Sequence, residues 1–174
     1  MKKLIYFFSA LVVIFSCAKM EVNDPAQNDQ SNDSALPKVL YASVVDEQNH
    51  DTRTYVDGMT VMWHGGDHVS YFYGNVQNSR YAYNGSYPAS SVELVIYSHG
   101  TQVDQQVNYS RGVYPYDANT TVETQGDVDK IHVTYPAVQT YAKKSFGKKA
   151  NRMIATGDSS KDNNLYFRNA CGYL

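Results

Sequence analysis

Cysteine is scarce: only two occur among the 174 residues, and Cys17 lies so near the start that no internal disulfide framework can staple the fold. An excess of one charge is missing as well. With 15 Lys and Arg against 17 Asp and Glu the formal net charge is −2, which leaves no basic field to draw nucleic acid. A DNA or RNA binder is therefore disfavoured. The longest apolar run, Leu4 to Phe15, falls short of the about 20 residues that span a bilayer. It is no stable anchor by itself. Apolar residues recurring at three and four positions over a long window are absent, so no helix is expected. Also absent are a Gly-x-Ser-x-Gly elbow, a phosphate-cradling glycine loop and a His-Glu-x-x-His pair. The sequence thus predicts a non-enzymatic protein without cofactor or metal.

What is abundant is tyrosine, 16 of 174 residues, with many Val and Thr. Such side chains fit a pleated, half-buried surface, and the composition predicts an all-β protein. Val39 to Val45 reads as a first strand. Arg53 to Val56 and Met59 to Trp63 flank Asp57-Gly58, a strong hairpin signal. Val69 to Tyr73 follows the Gly65-Gly66-Asp67 turn, Tyr81 and Tyr83 alternate around Ala82, and Val92 to Tyr97 is nearly continuous in apolar residues. Val113-Tyr114-Pro115-Tyr116 is interrupted by proline and is expected at an edge. Ile131, Val133 and Tyr135 alternate again, and Leu165 to Leu174 reads as a buried closing strand that stops without a polar tail, as a truncated product would. About eight short strands punctuated by turns imply a β-sandwich.

The start of the chain reads as an address. Lys2 and Lys3, the apolar run and Ser16 form a secretory signal over residues 1–16. Ile14-Phe15-Ser16-Cys17 resembles a bacterial lipobox, which implies that Cys17 is lipidated and becomes the N-terminus; more than one acyl chain gives stable membrane anchoring. Residues 17–37 form a polar, acidic tether too poor in apolar surface to order itself. Its acidic bias is similar to the export tag of surface lipoproteins of Bacteroidetes. Within it, Asp33-Ser34-Ala35 resembles the O-glycosylation site of the same bacteria and makes Ser34 a candidate, beside the plainer reading of a linker. The folded domain is expected over residues 38–174.

Several segments in succession resemble the fimbrillin-like family of Bacteroidetes surface lipoproteins. These are Asp51-Thr52-Arg53-Thr54 leading into Trp63, Gly66-Asp67 with Val69 and Phe72, Val113-Tyr114-Pro115-Tyr116, Pro136 to Tyr141, Ser145-Phe146-Gly147, Met153-Ile154-Ala155, and Phe167 to Leu174. The resemblance implies a transthyretin-like, Greek-key β-sandwich, here an incomplete N-terminal domain whose partner domain is missing. It further implies a structural or adhesive component of fimbriae on the outer membrane, with other fimbrial subunits as partners through donor-strand exchange. Relatives that polymerise are clipped after an arginine, and Arg53, the only arginine between Cys17 and Arg80, is the candidate. A host or bacterial surface ligand is a further expected partner.

Other residues carry weaker signals. His64-Gly65-Gly66-Asp67-His68 holds two imidazoles and a carboxylate, but the paired glycines disfavour the helical spacing that would converge them, and a solvated turn is expected. Cys171 reads as a buried, inert thiol. Lys143, Lys144, Lys148, Lys149 and Arg152 read as one solvated cationic loop. The tyrosines suit either sheet packing or a surface for sugars, so the alternative function is a monomeric glycan-binding lipoprotein of the outer membrane.

Overall fold

A computed structural model describes residues 35–45, 61–138 and 150–170. Ten strands run in chain order: β1 (Val39–Val44), β2 (His68–Tyr73), β3 (Val76–Ala82), β4 (Ser91–Ser98), β5 (Thr101–Gln102), β6 (Arg111–Tyr114), β7 (Thr121–Gln125), β8 (Val128–His132), β9 (Met153–Thr156) and β10 (Asn164–Asn169). No helix occurs among the described residues, and the all-β expectation holds. Eight strands form one sheet in the order β2-β6-β9-β10-β1-β4-β3-β5. Because β2 also pairs with β3, seven of them close into a barrel-like ring, and β5 extends β3 at its first two residues. Closure leaves the ring without a free sheet edge. β1 runs parallel to β10 and antiparallel to β4.

Period-two alternation explains which side chains enter the ring. Leu40 and Ala42 of β1, Val69 and Tyr71 of β2, Leu94 of β4, Met153 and Ala155 of β9, and Leu165 and Phe167 of β10 share one core with Trp63 and Tyr81. Fully burying each of the larger of these contributes about 1.5–3 kcal/mol. Trp63 stands edge-on to Tyr114 and Phe167, with centroids 5.4 and 5.0 Å away, and bridges to Ala89 through both backbone groups. The alternate residues Phe72 and Val113 face outward instead. They are covered, with Val107, by Val122 of the β7–β8 hairpin, against which Ile131 and Val133 also pack. Both faces of β2 are therefore buried, which suits a strand carrying Val69, Tyr71, Phe72 and Tyr73.

The hairpin is held by charge as well. Arg111 on β6 meets Asp129 on β8 at 3.1 Å, and the Asp129 carboxylate also accepts from the Asn108 and Tyr109 amides and the Thr124 hydroxyl. Burial alone would raise this carboxyl, but those hydrogen bonds outweigh it and hold its pKa below the ordinary carboxylate value. The stability it contributes is present above that ordinary value and fades as pH falls toward the lowered one. Asp129→Ala is expected to loosen the hairpin at neutral pH, read as faster amide exchange in β7 and β8 than in β1 and β10.

Two expectations are corrected. β6 is no edge strand: it lies between β2 and β9 and simply ends at Tyr114, before the proline, so Pro115 costs the ladder nothing. Arg152 is no part of a solvated loop; it is fully buried, whereas Lys143, Lys144, Lys148 and Lys149 lie outside the described residues. Gly112 is another requirement of packing. A Cβ there would sit 2.7 Å from Phe167 Cζ and 3.0 Å from Leu165 Cδ1, inside the core. Gly112→Val is expected to cost about 1–3 kcal/mol by overpacking, measured as a lower urea midpoint with unchanged slope.

Candidate functional site

Cys17, Ser34 and Arg53 lie outside the described residues, as do the Asp57-Gly58 hairpin and Cys171. Of the described strands, β1 is the one that falls between Ser34 and Arg53 in the sequence. It occupies a two-sided slot, with Tyr41 accepted by Asn163 O and Val44 by Ser90 O at 2.9 Å each, while Leu40 and Ala42 fill the core beneath. A strand in this position is held by main-chain bonds on both flanks and by two apolar sockets below.

The outer face of the same strands is a row of tyrosines. Tyr41 on β1, Tyr166 on β10 and Tyr97 on β4 are 50%, 56% and 64% exposed. The register places Tyr41 opposite Asn164 and Glu93, Tyr166 opposite Ser43, and Val39 opposite Val95. The row therefore runs diagonally over three neighbouring strands, covering roughly 20 Å along the strand direction at about 3.3 Å per residue. Its floor is polar at Ser43, Ser91 and Asn164 and apolar at Val39 and Val95.

At the Tyr97 end lies Arg80, outward on β3 between Ser70 of β2 and Ser98 of β4. Its guanidinium carbon is 4.5 Å from the Tyr97 ring centroid and 5.0 Å from that of Tyr116. Tyr116 is brought there by its amide bonding His68 O, and the loop after it is tied down by Asn78, whose side-chain amide donates to the carbonyls of Asp117, Ala118 and Thr120. Asn78 adopts a positive φ of 54°, a conformation asparagine tolerates well.

His68 completes the cluster, its ring 5.2 Å from Tyr97. Burial and then the Arg80 charge lower its pKa. The native state thus disfavours the protonated ring, while the unfolded chain takes up the proton ordinarily. His68 favours folding fully above about pH 6.5 and loses that contribution as pH falls below it. A lower melting temperature at pH 5 than at pH 7.5, with the gap narrowed in His68→Gln, is the expected result.

The turn before β2 engages its own carboxylate. Asp67 spends its carboxylate on the His64 amide at 2.8 Å and the Tyr114 hydroxyl at 3.1 Å, and no group of three His, Cys, Asp or Glu converges among the described residues. Burial, then the Asp67 charge, raises the Tyr114 phenol. A separate open groove of about 560 Å³ between β3 and the hairpin is lined by Gln77, Gln105, Thr121 and Glu123. There His132 faces Glu123 at 3.4 Å with both side chains well exposed, a pair worth little in water.

Arg152 acts as a buried clamp. Its guanidinium donates to Pro115 O at 3.0 Å, to Thr134 O, and to the Asp117 carboxylate at 3.3 Å. It thereby ties the loop carrying Tyr116 to the start of β9 and the end of the hairpin. Sequence reasoning singled out the tyrosines, Tyr116 among them in the Val113–Tyr116 run, but not Arg80 or the clamp, since no local spacing links Arg80 with Tyr97 and Tyr116. The chain matches no protein-family model, no curated protein and no solved structure.

Proposed function

We propose that the chain is a non-enzymatic cell-surface lipoprotein, a structural or adhesive component of fimbriae, anchored to the outer membrane by acyl chains on Cys17. On this reading the ring is a flattened, transthyretin-like Greek-key domain. The observation that carries the proposal is the position of β1, an N-terminal strand inserted between β10 and β4 with two side chains in the core. Such a slot, once vacated, offers main-chain partners and apolar sockets to an extended segment of another subunit. The signal, the lipobox and the order of motifs over positions 51 to 174 point the same way.

Two measurements test it. Cys17→Ala is expected to move the protein out of the membrane fraction, and mass spectrometry of the exported wild type should find an acylated Cys17; an unmodified N-terminus at Ala18 or later overturns the anchor. N-terminal sequencing of filaments should find Thr54 as the first residue, since cleavage after Arg53 would separate β1 from the ring. Filaments that always retain β1 would sink donor-strand exchange through this slot. A second reading, a monomeric glycan-binding lipoprotein, is favoured by the exposed tyrosine row.

A further inference from the structure

We propose that the outer tyrosine row binds an acidic saccharide, with Arg80 taking the carboxylate of a uronate-type residue while Tyr97 and Tyr41 carry the sugar rings. The inference rests on the glycan-binding reading of this face and names the ligand class.

Arg80 carries the argument. Guanidinium groups on protein surfaces are commonly neutralised by a carboxylate, yet among the described residues no ion pair joins Arg80 to an acid. Asp117, the acid nearest along the neighbouring loop, is engaged by Arg152. Arg80 is instead flanked by the rings of Tyr97 and Tyr116, and its Nε is buried without a hydrogen-bond partner. Cation–π contacts to two rings hold the planar fork in place, so little side-chain entropy is left to lose when it pairs with a planar anion. A carboxylate is the partner such a fork matches in geometry and charge.

The rest of the face supplies what a sugar needs. Pyranose rings present C–H faces that pack on aromatic side chains, and their hydroxyls need polar neighbours; Tyr97 and Tyr41 provide the first, and Ser43, Ser91 and Asn164 the second. Glu93, opposite Tyr41, sets a direction. Its charge repels an acid group over the middle of the row, so the carboxylate is directed to the Arg80 end.

Isothermal titration calorimetry of the mature chain with a short oligogalacturonate, and with the same oligomer after carboxyl reduction, tests this. The wild type should bind the acidic form more tightly. Arg80→Gln should lower that affinity by about 10- to 100-fold, as expected for losing a charged hydrogen bond, and weaken the reduced oligomer far less. Arg80→Lys should recover little of it, because a point charge lacks the planar fork. Tyr41→Ala should weaken both oligomers alike. Equal binding of the two by the wild type overturns the role of Arg80 while leaving the platform standing. Binding of neither overturns the glycan reading itself, as would a dimer in sedimentation analysis that Tyr41→Ala dissolves. Should Arg80→Gln fail to fold by circular dichroism, the wild-type comparison of the two oligomers decides alone.

Discussion

Replacing Arg152 by methionine is expected to lower stability by about 3–5 kcal/mol, because the change takes away one member of a buried ion pair and leaves its partners desolvated. Three acceptors lose a donor at once: Pro115 O, Thr134 O and the Asp117 carboxylate, which keeps the Asn119 amide but loses its buried cation. The methylene stem is retained by methionine, so lost packing is a small part of the effect. Urea denaturation followed by circular dichroism gives the number. A double variant, Arg152→Met with Asp117→Asn, should recover part of the loss, since the second change removes the buried charge. A loss below about 1 kcal/mol, the range of exposed pairs, would show that the clamp is solvated after all.

Trp63→Ala should cost a similar amount, about 3–5 kcal/mol, by opening a cavity where the indole meets Tyr114 and Phe167. Trp63→Phe should cost much less. The indole Nε1 is buried without a partner, so phenylalanine deletes an unsatisfied donor while keeping an aromatic edge contact. The contrast between the two variants separates volume from polarity. As Trp63 is the sole tryptophan, wild-type fluorescence should report the same transition as circular dichroism.

Strands whose side chains alternate cleanly or bury both faces were legible in the sequence. β1, β2, β4 and β10 lie where Val39–Val45, Val69–Tyr73, Val92–Tyr97 and the run from Leu165 predict them. β3 was legible only at Tyr81 and Ala82, because Gln77, Asn78, Ser79 and Arg80 form its middle and a register shift follows Arg80. β7 was missed: of Thr121 to Gln125 only Val122 enters the outer core, too little apolar signal to stand out, although the Gly126-Asp127 turn with its positive φ at Gly126 marks the hairpin. The closure of the ring was not readable at all, since pairing of β2 with both β3 and β6 depends on sheet curvature rather than on any local pattern.

The candidate site was legible in kind but not in place. Abundant tyrosine left sheet packing and an aromatic surface both open, and register divides the residues between them: Tyr71 and Tyr81 point inward, whereas Tyr41, Tyr97 and Tyr166 point outward. Arg152 shows the opposite failure. A run of cations reads as solvated from composition, and only carbonyls contributed by distant loops reveal the buried one.

The parallel pairing of β1 with β10 carries a consequence for the order of events in folding. Tyr41 lies beside Asn164, so the ring joins the first of its described strands to the last of them. During synthesis β1 has β4 as its first partner, and the closed sheet must wait until β10 has emerged. Such non-local pairing pays its loop-closure entropy before it is rewarded, which places folding in the millisecond-to-second range typical of β-rich domains. Until β10 arrives, the outer flank of β1 is an unpaired edge open to any other extended segment, a chaperone's or a second copy's.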